Sequence, residues 1–490
     1  MKYKRFVSAA ALLLALILSA CAAPAPIAHQ KQAQSPASCA PWTCWATGDL
    51  AELSLQEGTA AAERYLASTQ DVAEYIHLAL LAQESEIDLS DYRIPTDRIT
   101  QVFTDVMNRY PDLFFVKSGI SYTYTSQNYV VTLKPSYRMT GKELADARAL
   151  VDARLDEICA GVDENWSDFE IALYLHDYLC LHFSYDTTYQ FFDTYSFLTE
   201  GRGVCQAYTL TYIALLERYG IASDVAVSTD MNHIWNVITL GGRAYHVDVT
   251  WDDPIPDRAG QALHENFLRS DAGISQTGHY AWVSDYVCDS DAYESTFIVH
   301  ADAPFVYTAG QWFYADGQAR AILAADFSTM RTHSVLQADD KWLTPDGGSY
   351  YIDAFFGAGA YRGNLIYNTP KKILAQNLQS GVVVEIDAEL PRGMQIWGVW
   401  VDGDTVYYSV SNTPDGEKQT LLVNIKNLAD YLWGDADQNG TVDGRDVTAM
   451  LRYLQGLPAV CHTGAADLDD SGAVDARDVE ILRQYLVENH

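Results

Sequence analysis

The chain has 490 residues and about twice as many acidic as basic side chains, 65 Asp and Glu against 32 Lys and Arg, for a formal charge of −33. This negative charge repels phosphate backbones and anionic membrane surfaces at long range, so nucleic acid is excluded as an expected partner. The length exceeds what one hydrophobic core spans and predicts about three domains.

The N-terminal segment predicts export. Basic residues precede an apolar run over 6–20, which is shorter than a membrane-spanning helix of about 20 residues and is typical of a signal peptide. Leu18-Ser19-Ala20-Cys21 resembles a bacterial lipobox, which implies lipidation of Cys21; ordinary cleavage is the alternative. We predict a lipoprotein signal peptide over 1–21, a flexible Pro/Ala/Ser/Gln-rich tether over 22–50, and a lipid anchor on the outer face of the bacterial cytoplasmic membrane or cell surface.

Residues 51–140 predict an α+β region, and residues 301–430 predict an all-β domain. In the first region, Tyr, Val and Thr recur around a polar turn over 120–134, which indicates a β-hairpin. Short alternating runs such as 400–410 indicate the strands of the all-β domain, to which the sequence assigns no activity. Helical patterns cover 71–84, 96–110, 142–159 and 168–183.

One cysteine lies at a position that suits catalysis. Cys205 follows the turn Gly201-Arg202-Gly203 and begins a helical pattern that ends at Gly220. At a helix N-terminus, unpaired N–H groups and the helix dipole favour the thiolate, which is the nucleophilic form. The same position also suits a buried structural cysteine, which is the commoner role.

Two strand patterns flank Gly241-Gly242, a strong signal for a two-residue hairpin turn. If the turn is centred on this pair, Asp248 lies opposite Trp235. His233 is two residues from Trp235, so His233 and Asp248 share one face about 7 to 8 Å apart. These residues predict a Cys-His-Asp arrangement. His246 falls on the same face by the same parity, so the pattern leaves two candidate bases.

Three ordered blocks resemble the motifs of the bacterial transglutaminase-like, papain-related superfamily. They are Gly203-Val204-Cys205, His233-Ile234-Trp235-Asn236 and the run from Tyr245 to Asp253. Carried over residue by residue, the resemblance makes Cys205 the nucleophile, His233 the base and Asp248 the orienting acid, with no cofactor for catalysis. Ala207-Tyr208-Thr209 stands where Gly-Tyr-Ala is common, which is a mild departure.

The resemblance implies an α+β, papain-like catalytic domain over 141–300 and acyl transfer through a thioester. Cys205 attacks a carboxamide or peptide carbonyl, His233 protonates the departing nitrogen, and water or a second amine resolves the acyl-enzyme. Crosslinking, deamidation and hydrolysis differ in the resolving nucleophile and the pocket, and the sequence does not separate them. Gln206 and the backbone N–H of Cys205 are the candidates for binding the oxyanion.

A duplicated acidic pattern near the C-terminus predicts two Ca²⁺ ions. Residues 435–446 carry oxygen-bearing side chains at places one, three, five, nine and twelve and glycine at place six, as in an EF-hand loop. The pattern recurs 32 residues later over 467–478, and each loop runs into an amphipathic helix. The predicted ligands, with a backbone carbonyl at place seven, are Asp435, Asp437, Asn439, Thr441, Asp443, Asp446, Asp467, Asp469, Ser471, Ala473, Asp475 and Asp478.

With Asp at the twelfth place and no obvious helix before either loop, residues 434–490 resemble a dockerin, a small all-α module. The resemblance implies binding to a cohesin module of a scaffoldin or surface protein, and so attachment to a cellulosome-like, polysaccharide-degrading complex. Gly444-Arg445 and Ala476-Arg477 stand where Ser-Thr is often found, which leaves the cohesin type open.

Two hypotheses for the whole chain follow. The first is a surface-anchored, cysteine-dependent acyl transferase or peptidase that acts on peptide or protein amides and docks to a larger complex. The second is a non-catalytic surface protein whose domains only bind and whose dockerin is the functional end. Labelling of Cys205 by iodoacetamide at mildly acidic pH distinguishes them, because an inert buried thiol reacts poorly.

Overall fold

The computed structural model describes residues 72–489 apart from short gaps, and these residues divide into two compact units. The gaps are 256, 259, 338–339, 349, 352–356, 379–380, 414–415, 417, 427, 429–433, 440 and 469–472. The first unit comprises 72–257 and 264–299, and the second comprises 258–263 and 300–489. Across this described part of the chain, no helix is both long and apolar enough to cross a membrane. The predicted signal peptide, tether and Cys21 lie outside the described residues.

The described part of the first unit contains eight α-helices. They are α1 (72–81), α2 (Ile99–Arg109), α3 (Gly141–Cys159), α4 (Asp168–His182), α5 (Thr194–Glu200), α6 (Cys205–Glu217), α7 (Val249–Asp252) and α8 (Asp271–Gln276), with 3-10 helices at Ser90–Tyr92, Pro111–Leu113 and Ile298–His300. α4 begins with a capping box, in which Ser167 and Glu170 each bond the other's backbone N–H. α6 buries ten of its 13 residues, so it is the central helix of the unit.

The strands of this unit form three small sheets. They are β1 (Ile87–Asp88), β2 (Ser121–Tyr124) and β3 (Val130–Lys134) in the order β1-β3-β2, β4 (Ser184–Tyr185) beside β5 (Arg202–Gly203), and β6 (Ser223–Ser228), β7 (His233–Leu240) and β8 (Arg243–Val247) in chain order. β2 and β3 pair antiparallel, which confirms the hairpin predicted over 120–134.

The β7–β8 hairpin confirms the predicted register. Gly241 and Gly242 have φ values of 57° and 77°, which glycine adopts without the steric cost of a Cβ. Leu240 pairs with Arg243, and Val237 pairs with His246. The second strand ends one residue before Asp248, two residues earlier than the pattern predicted, because Asp248 is the N-cap of α7.

The β6-β7-β8 sheet is covered on both faces. Ile213 of α6 packs with Val225 and Ile234, and Cys205 lies against the same cluster. Trp235 on the other face packs with a buried Cys288 among its neighbours. Because α6 lies on this sheet, the start of the helix is held next to the hairpin.

In the second unit, the described residues form antiparallel sheets and three α-helices. Its strands are β9 (Val306–Thr308), β10 (Gln311–Asp316), β11 (Ala321–Asp326), β12 (Arg331–Gln337), β13 (Trp342–Leu343), β14 (Tyr350–Tyr351), β15 (Gly359–Tyr361), β16 (Asn364–Asn368), β17 (Ile373–Asn377), β18 (Val383–Ile386), β19 (Gln395–Asp402), β20 (Thr405–Ser411) and β21 (Gln419–Asn424). Consecutive strands pair within sheets β9–β12, β13–β14, β15–β18 and β19–β21. The multidomain α+β class with an all-β region is therefore confirmed.

The C-terminal segment forms a small helical cluster. Its helices are α9 (Gly444–Leu454), α10 (Thr463–Ala466) and α11 (Ala476–Asn489). Their small core includes Met450 of α9 and Leu482 of α11. The expectation of no helix before either loop was wrong for the second loop, since α10 ends at Ala466, directly before Asp467. Four residues are too few to produce a periodic apolar pattern.

Candidate active site

Cys205 is the first residue of α6 and a free, half-buried thiol. The chain approaches it through Gly203, where an added Cβ would lie 2.6 Å from the Cβ of Ala207 and 2.6 Å from the ring of Phe197. A glycine is therefore required for this tight entry. The first N–H groups of α6 have no acceptor within the helix and face the site beyond its N-terminus.

The hairpin brings an imidazole and a carboxylate into contact with each other and with the thiol. Nε2 of His233 donates to Oδ2 of Asp248 at 2.6 Å. The Cys205 side chain lies close enough to the His233 ring to help raise its pKa. Because Asp248 occupies Nε2, Nδ1 is the ring nitrogen left to exchange a proton with the thiol. The structure thus brings together the three residues predicted from the sequence.

The His233–Asp248 pair is charged although it is buried. Burial alone lowers the pKa of His233, but the charge of Asp248, the hydrogen bond to it and the Cys205 contact raise that pKa to about 10. Burial alone raises the pKa of Asp248, but the positive His233 and the hydrogen bonds from two imidazoles hold it well below its usual range. At neutral pH the pair is therefore an imidazolium and a carboxylate.

His246 has the parity of a catalytic base but lies in a different network. Its Nδ1 accepts a hydrogen bond from Nε1 of Trp235 at 3.0 Å, and its Nε2 donates to Oδ1 of Asp271 at 2.9 Å. Burial lowers the pKa of His246. Both ring nitrogens are thus engaged away from Cys205, so the geometry favours His233 over His246.

The sequence analysis missed a second imidazole on the same carboxylate. His279 is 2% exposed, and its Nε2 donates to Oδ2 of Asp248 at 2.8 Å. Asp248 also accepts the backbone N–H of Trp251 at its Oδ1, 3.2 Å away. Because 31 residues separate His279 from Asp248, no local pattern could have paired them.

A second buried ionic cluster supports the turn that begins at Asp248. Nδ1 of His176 lies 2.9 Å from Asp177 and its Nε2 lies 3.2 Å from Asp252, while His264 donates to Asp177 at 2.8 Å. Burial lowers the pKa of His176, but the two carboxylates raise it to about 9. The cluster joins α4 to the last residue of α7, and so fixes the helix that Asp248 caps.

The neighbours of the thiol include a tyrosine that the sequence analysis did not select. Nε2 of Gln206 donates to Oδ1 of Asn108 at 2.9 Å, so this candidate oxyanion donor is held by α2. Tyr185 on β4 pairs with Gly203 on β5, two residues before the thiol. Burial, and then the charge of Cys205, raise the pKa of the Tyr185 phenol far above its usual value. Tyr185 therefore remains protonated and can donate a hydrogen bond.

A cavity of about 680 Å³ reaches the site at Gln206, the residue after the thiol. Its lining includes Phe114, Arg138, Tyr189 and Gln206. Tyr189 has a φ of 54°, which is uncommon for a bulky residue and indicates a conformation imposed by its surroundings. The buried carboxylate of Asp186 imposes it, because that carboxylate accepts hydrogen bonds from the backbone N–H groups of residues 188, 190 and 191. The loop that forms this wall of the cavity is therefore held in place by hydrogen bonds to Asp186.

The first acidic loop of the C-terminal segment fits a calcium ion. Carboxylate oxygens of Asp435, Asp437 and Asp446 lie within 4.8 Å of one another. Asp435 and Asp446 are buried, and a bound cation would offset the repulsion between like charges this close and this poorly hydrated. Asn439 and Thr441 follow in the same loop, where the backbone N–H of Thr441 bonds Oδ1 of Asn439 at 3.1 Å.

One contact of the first loop recurs in the described part of the second. Oδ2 of Asp446 accepts from the N–H of Asp443 at 2.7 Å, and Oδ2 of Asp478 accepts from the N–H of Asp475 at 2.7 Å. Asp467 and Ala473 are described, whereas Asp469 and Ser471 lie outside the described residues. In the first loop Arg445 forms an ion pair with Asp443 at 2.7 Å.

Comparison with protein families gives two matches. The model of the transglutaminase-like superfamily matches residues 156–316, which contain Cys205, His233 and Asp248. The model of the dockerin type I domain matches residues 433–487, which contain both acidic loops. The chain carries a transglutaminase-like domain and a type I dockerin.

Other comparisons are more distant. No curated protein sequence matches the chain. A solved structure described as "Crystal structure of a TGase" matches with 11% identity and a TM-score of 0.20, over 27% of this chain and 44% of its own. The chain thus spans less than half the length of that structure.

The dockerin implies a calcium-binding module that docks to a cohesin and acts outside the cell or at its surface. Its described residues supply the oxygen ligands that a hard cation prefers. The transglutaminase-like domain implies acyl-transfer or protease chemistry as a class.

We predict that calcium controls the stability of the dockerin. Its core is small, so the free energy of metal binding is a large part of its folding free energy. At a calcium concentration about a thousand times Kd, binding stabilises the module by about 4 kcal/mol. A chelator should therefore lower the melting temperature of one transition of the full chain, measured by calorimetry.

Asp446→Ala should reproduce part of this loss in the presence of calcium, whereas Glu480→Gln, at an exposed acidic residue of α11, should not. Identical melting with and without the chelator would contradict the calcium assignment.

Proposed function

We propose that the chain is a surface-anchored, cysteine-dependent acyl transferase or peptidase that acts on peptide or protein amides through a thioester. The observation that supports this most directly is the buried hydrogen bond between His233 and Asp248, with the Cys205 thiol beside the His233 ring. A charged His-Asp pair beside a thiol at a helix start is an arrangement that activates a cysteine nucleophile. The transglutaminase-like match indicates the same class of reaction.

Before the first half-reaction, the thiol proton rests on Nδ1 of His233, which is therefore an imidazolium. The Cys205 thiolate then attacks the carbonyl carbon of an amide. The carbonyl oxygen becomes an oxyanion. His233 then returns the proton to the amide nitrogen, the C–N bond breaks, and ammonia or an amine leaves behind a thioester. Asp248 holds Nε2–H throughout, so Nδ1 remains the nitrogen that exchanges protons with sulfur and substrate.

In the second half-reaction, water or a primary amine attacks the thioester while His233 removes its proton. The C–S bond breaks and restores the Cys205 thiolate beside the protonated His233. Water gives deamidation or hydrolysis, and an amine gives a crosslink. We propose that the backbone N–H of Cys205 and the hydroxyl of Tyr185 bind the oxyanion, because Tyr185 is protonated and adjacent.

We propose that the remaining parts place this reaction at the cell surface. The dockerin with two bound calcium ions docks the chain to a cohesin of a scaffoldin or surface protein, and a lipid on Cys21 anchors it to the membrane. The assembly is of the polysaccharide-degrading type that dockerins serve. In this arrangement the catalytic domain acts on proteins near the assembly, in keeping with its acidic chain, which repels nucleic acid.

Substitutions in the triad test the reaction. Cys205→Ala and His233→Ala should abolish turnover, because the first lacks the nucleophile and the second lacks the base. Asp248→Asn should lower kcat by up to about 10⁴-fold, since it disfavours the tautomer in which Nδ1 accepts the thiol proton. Release of ammonia from glutamine-containing peptides, with and without an added primary amine, measures the loss.

His246→Ala is the matched control, because it removes a buried imidazole of the neighbouring strand β8 and should leave turnover per folded molecule unchanged. Turnover that persists in Cys205→Ala would reject cysteine catalysis. A wild-type chain that turns over no amide and is not alkylated at Cys205 would favour the non-catalytic binding protein.

The pKa of His233 predicts an alkaline limit of activity. This pKa is raised to about 10, so His233 is protonated below that pH and loses its proton as the pH rises through it. Turnover needs protonated His233 to release the amine, and should therefore fall with a midpoint near pH 10. The rate of Cys205 alkylation needs only the thiolate and should not fall over the same range, which distinguishes this limit from unfolding.

Tyr185→Phe tests the oxyanion site. Removal of one preorganised donor should lower kcat about 10²- to 10³-fold. Alkylation of Cys205 forms no oxyanion, so its rate should stay close to that of the wild type. Equal losses in both assays would assign Tyr185 to packing or to thiol activation instead.

A further inference from the structure

The second imidazole on Asp248 has no role in the proposed reaction as described above. Oδ2 of Asp248 accepts two hydrogen bonds, from His233 at 2.6 Å and from His279 at 2.8 Å. Both donors and the acceptor are buried, with His279 only 2% and Asp248 only 1% exposed. One oxygen atom thus receives the catalytic hydrogen bond and a second one of similar length.

We propose that His279 is a positioning residue, which holds the Asp248 carboxylate at the place and rotation in which it fixes the tautomer of His233. This inference rests on the proposed function of Cys205 and extends its machinery by one residue. His279 reaches the reacting atoms only through Asp248 and His233.

The hydrogen-bond inventory of His279 supports this role. A carboxylate can only accept, so Nε2 of His279 must carry the proton of that contact. Its other nitrogen, Nδ1, lies 3.2 Å from the hydroxyl of Thr277. Burial lowers the pKa of His279, which makes it a neutral donor beside the charged His233. A neutral donor orients Asp248 without competing with His233 as a second cation.

His279 limits rotation of the Asp248 carboxylate. The other oxygen, Oδ1, accepts only at 3.2 Å from the N–H of Trp251, so that contact alone holds the carboxylate loosely. With His279 the carboxylate is held on three sides by α7, β7 and the segment after α8. Rotation about its Cβ–Cγ bond then costs at least one hydrogen bond to a charged acceptor, which is about a tenfold effect or more.

The surroundings of His279 fix its ring in turn. The ring lies 4.1 Å from Trp251 and 4.7 Å from Trp235, measured between centroids. His279 can act either by packing or by hydrogen bonding, and these two roles predict different results when His279 is substituted. The hydrogen-bonding role requires an N–H at the position of Nε2, whereas a packing role requires only a flat aromatic ring.

The distances from Oδ2 of Asp248 to the two imidazole nitrogens fit hydrogen bonds and are too short for ligands of one metal ion. His233, Asp248 and His279 form a group whose ligand atoms could converge on a metal. Ligands bonded at about 2.0–2.1 Å in a tetrahedral site stand about 3.3 Å apart, which is wider than both distances. The observed geometry is that of two N–H···O hydrogen bonds.

Two substitutions in the full-length protein separate hydrogen bonding from packing. His279→Phe keeps a flat ring and removes the donor. His279→Gln loses the ring but places an amide N–H at the same number of bonds from Cα as Nε2. The probe is iodoacetamide at pH 6, and the rate is measured by mass spectrometry on the peptide that contains Cys205, so no natural substrate is needed.

If His279 positions Asp248, His279→Phe should slow alkylation of Cys205 about tenfold or more, and His279→Gln should restore most of the rate. NMR titration of the His233 ring should show its pKa lowered in His279→Phe and largely restored in His279→Gln. His246→Phe is the control, because it replaces a buried imidazole that bonds Trp235 and Asp271. It should change neither the alkylation rate per folded molecule nor the pKa of His233.

If His279→Phe kept the alkylation rate of Cys205 and His279→Gln lost it, the role of His279 would be packing and the inference would be overturned. Unchanged or equally reduced rates in both variants would overturn it as well. If the wild-type Cys205 reacts no faster than the half-buried Cys159, the proposed function fails. In that case the titration of His233 still decides the inference, because the hydrogen bond from His279 acts on Asp248 whether or not the thiol is a nucleophile.

Discussion

The first unit depends on one constraint, which is that the buried carboxylate of Asp248 must stay charged away from water. Removing an ion from water costs several kcal/mol, and the loss is offset only when donors surround the ion. Asp248 has three such donors, from His233, His279 and the backbone of Trp251. They belong to a strand, a loop and a short helix, so these three elements must meet at one point for the carboxylate to be stable.

Three acids within six residues have different environments around this point. Asp248 has a pKa well below its usual range, because imidazoles donate to it. Burial raises the pKa of Asp252, in spite of His176. Burial also raises the pKa of Asp253, whose carboxyl accepts the hydroxyl of the buried Tyr208. Of the three, only Asp248 has a lowered pKa and accepts a hydrogen bond from His233, which is why it suits the role of orienting acid.

The sequence predicted the parts of the site that local rules determine. Gly241-Gly242 sets the hairpin register, and the register alone places His233 and Asp248 on one face. Cys205 begins α6 as the glycine-containing turn indicated. The assignment of His233 over His246 needed the family resemblance, since parity treats the two alike.

What the sequence could not predict depends on contacts between distant segments. His279 reaches Asp248 only because α8 and the chain after it fold back onto the sheet. Tyr185 is placed by a parallel pairing of two residues with two, which is too short to leave a periodic pattern. Gln206, adjacent in sequence to the thiol, is instead engaged by Asn108, 98 residues away. Adjacency in sequence was thus a poor guide to the surroundings of the sulfur.

The two-residue turn between β7 and β8 has a consequence for how such chains can diverge in length. An insertion or deletion of one residue in either strand, or in the turn, would reverse the faces of all residues on one side and separate His233 from Asp248. By contrast, the described residues between 254 and 263 belong to no strand or helix. Length variation among related chains should therefore be concentrated after Asp253 and excluded from residues 233–248.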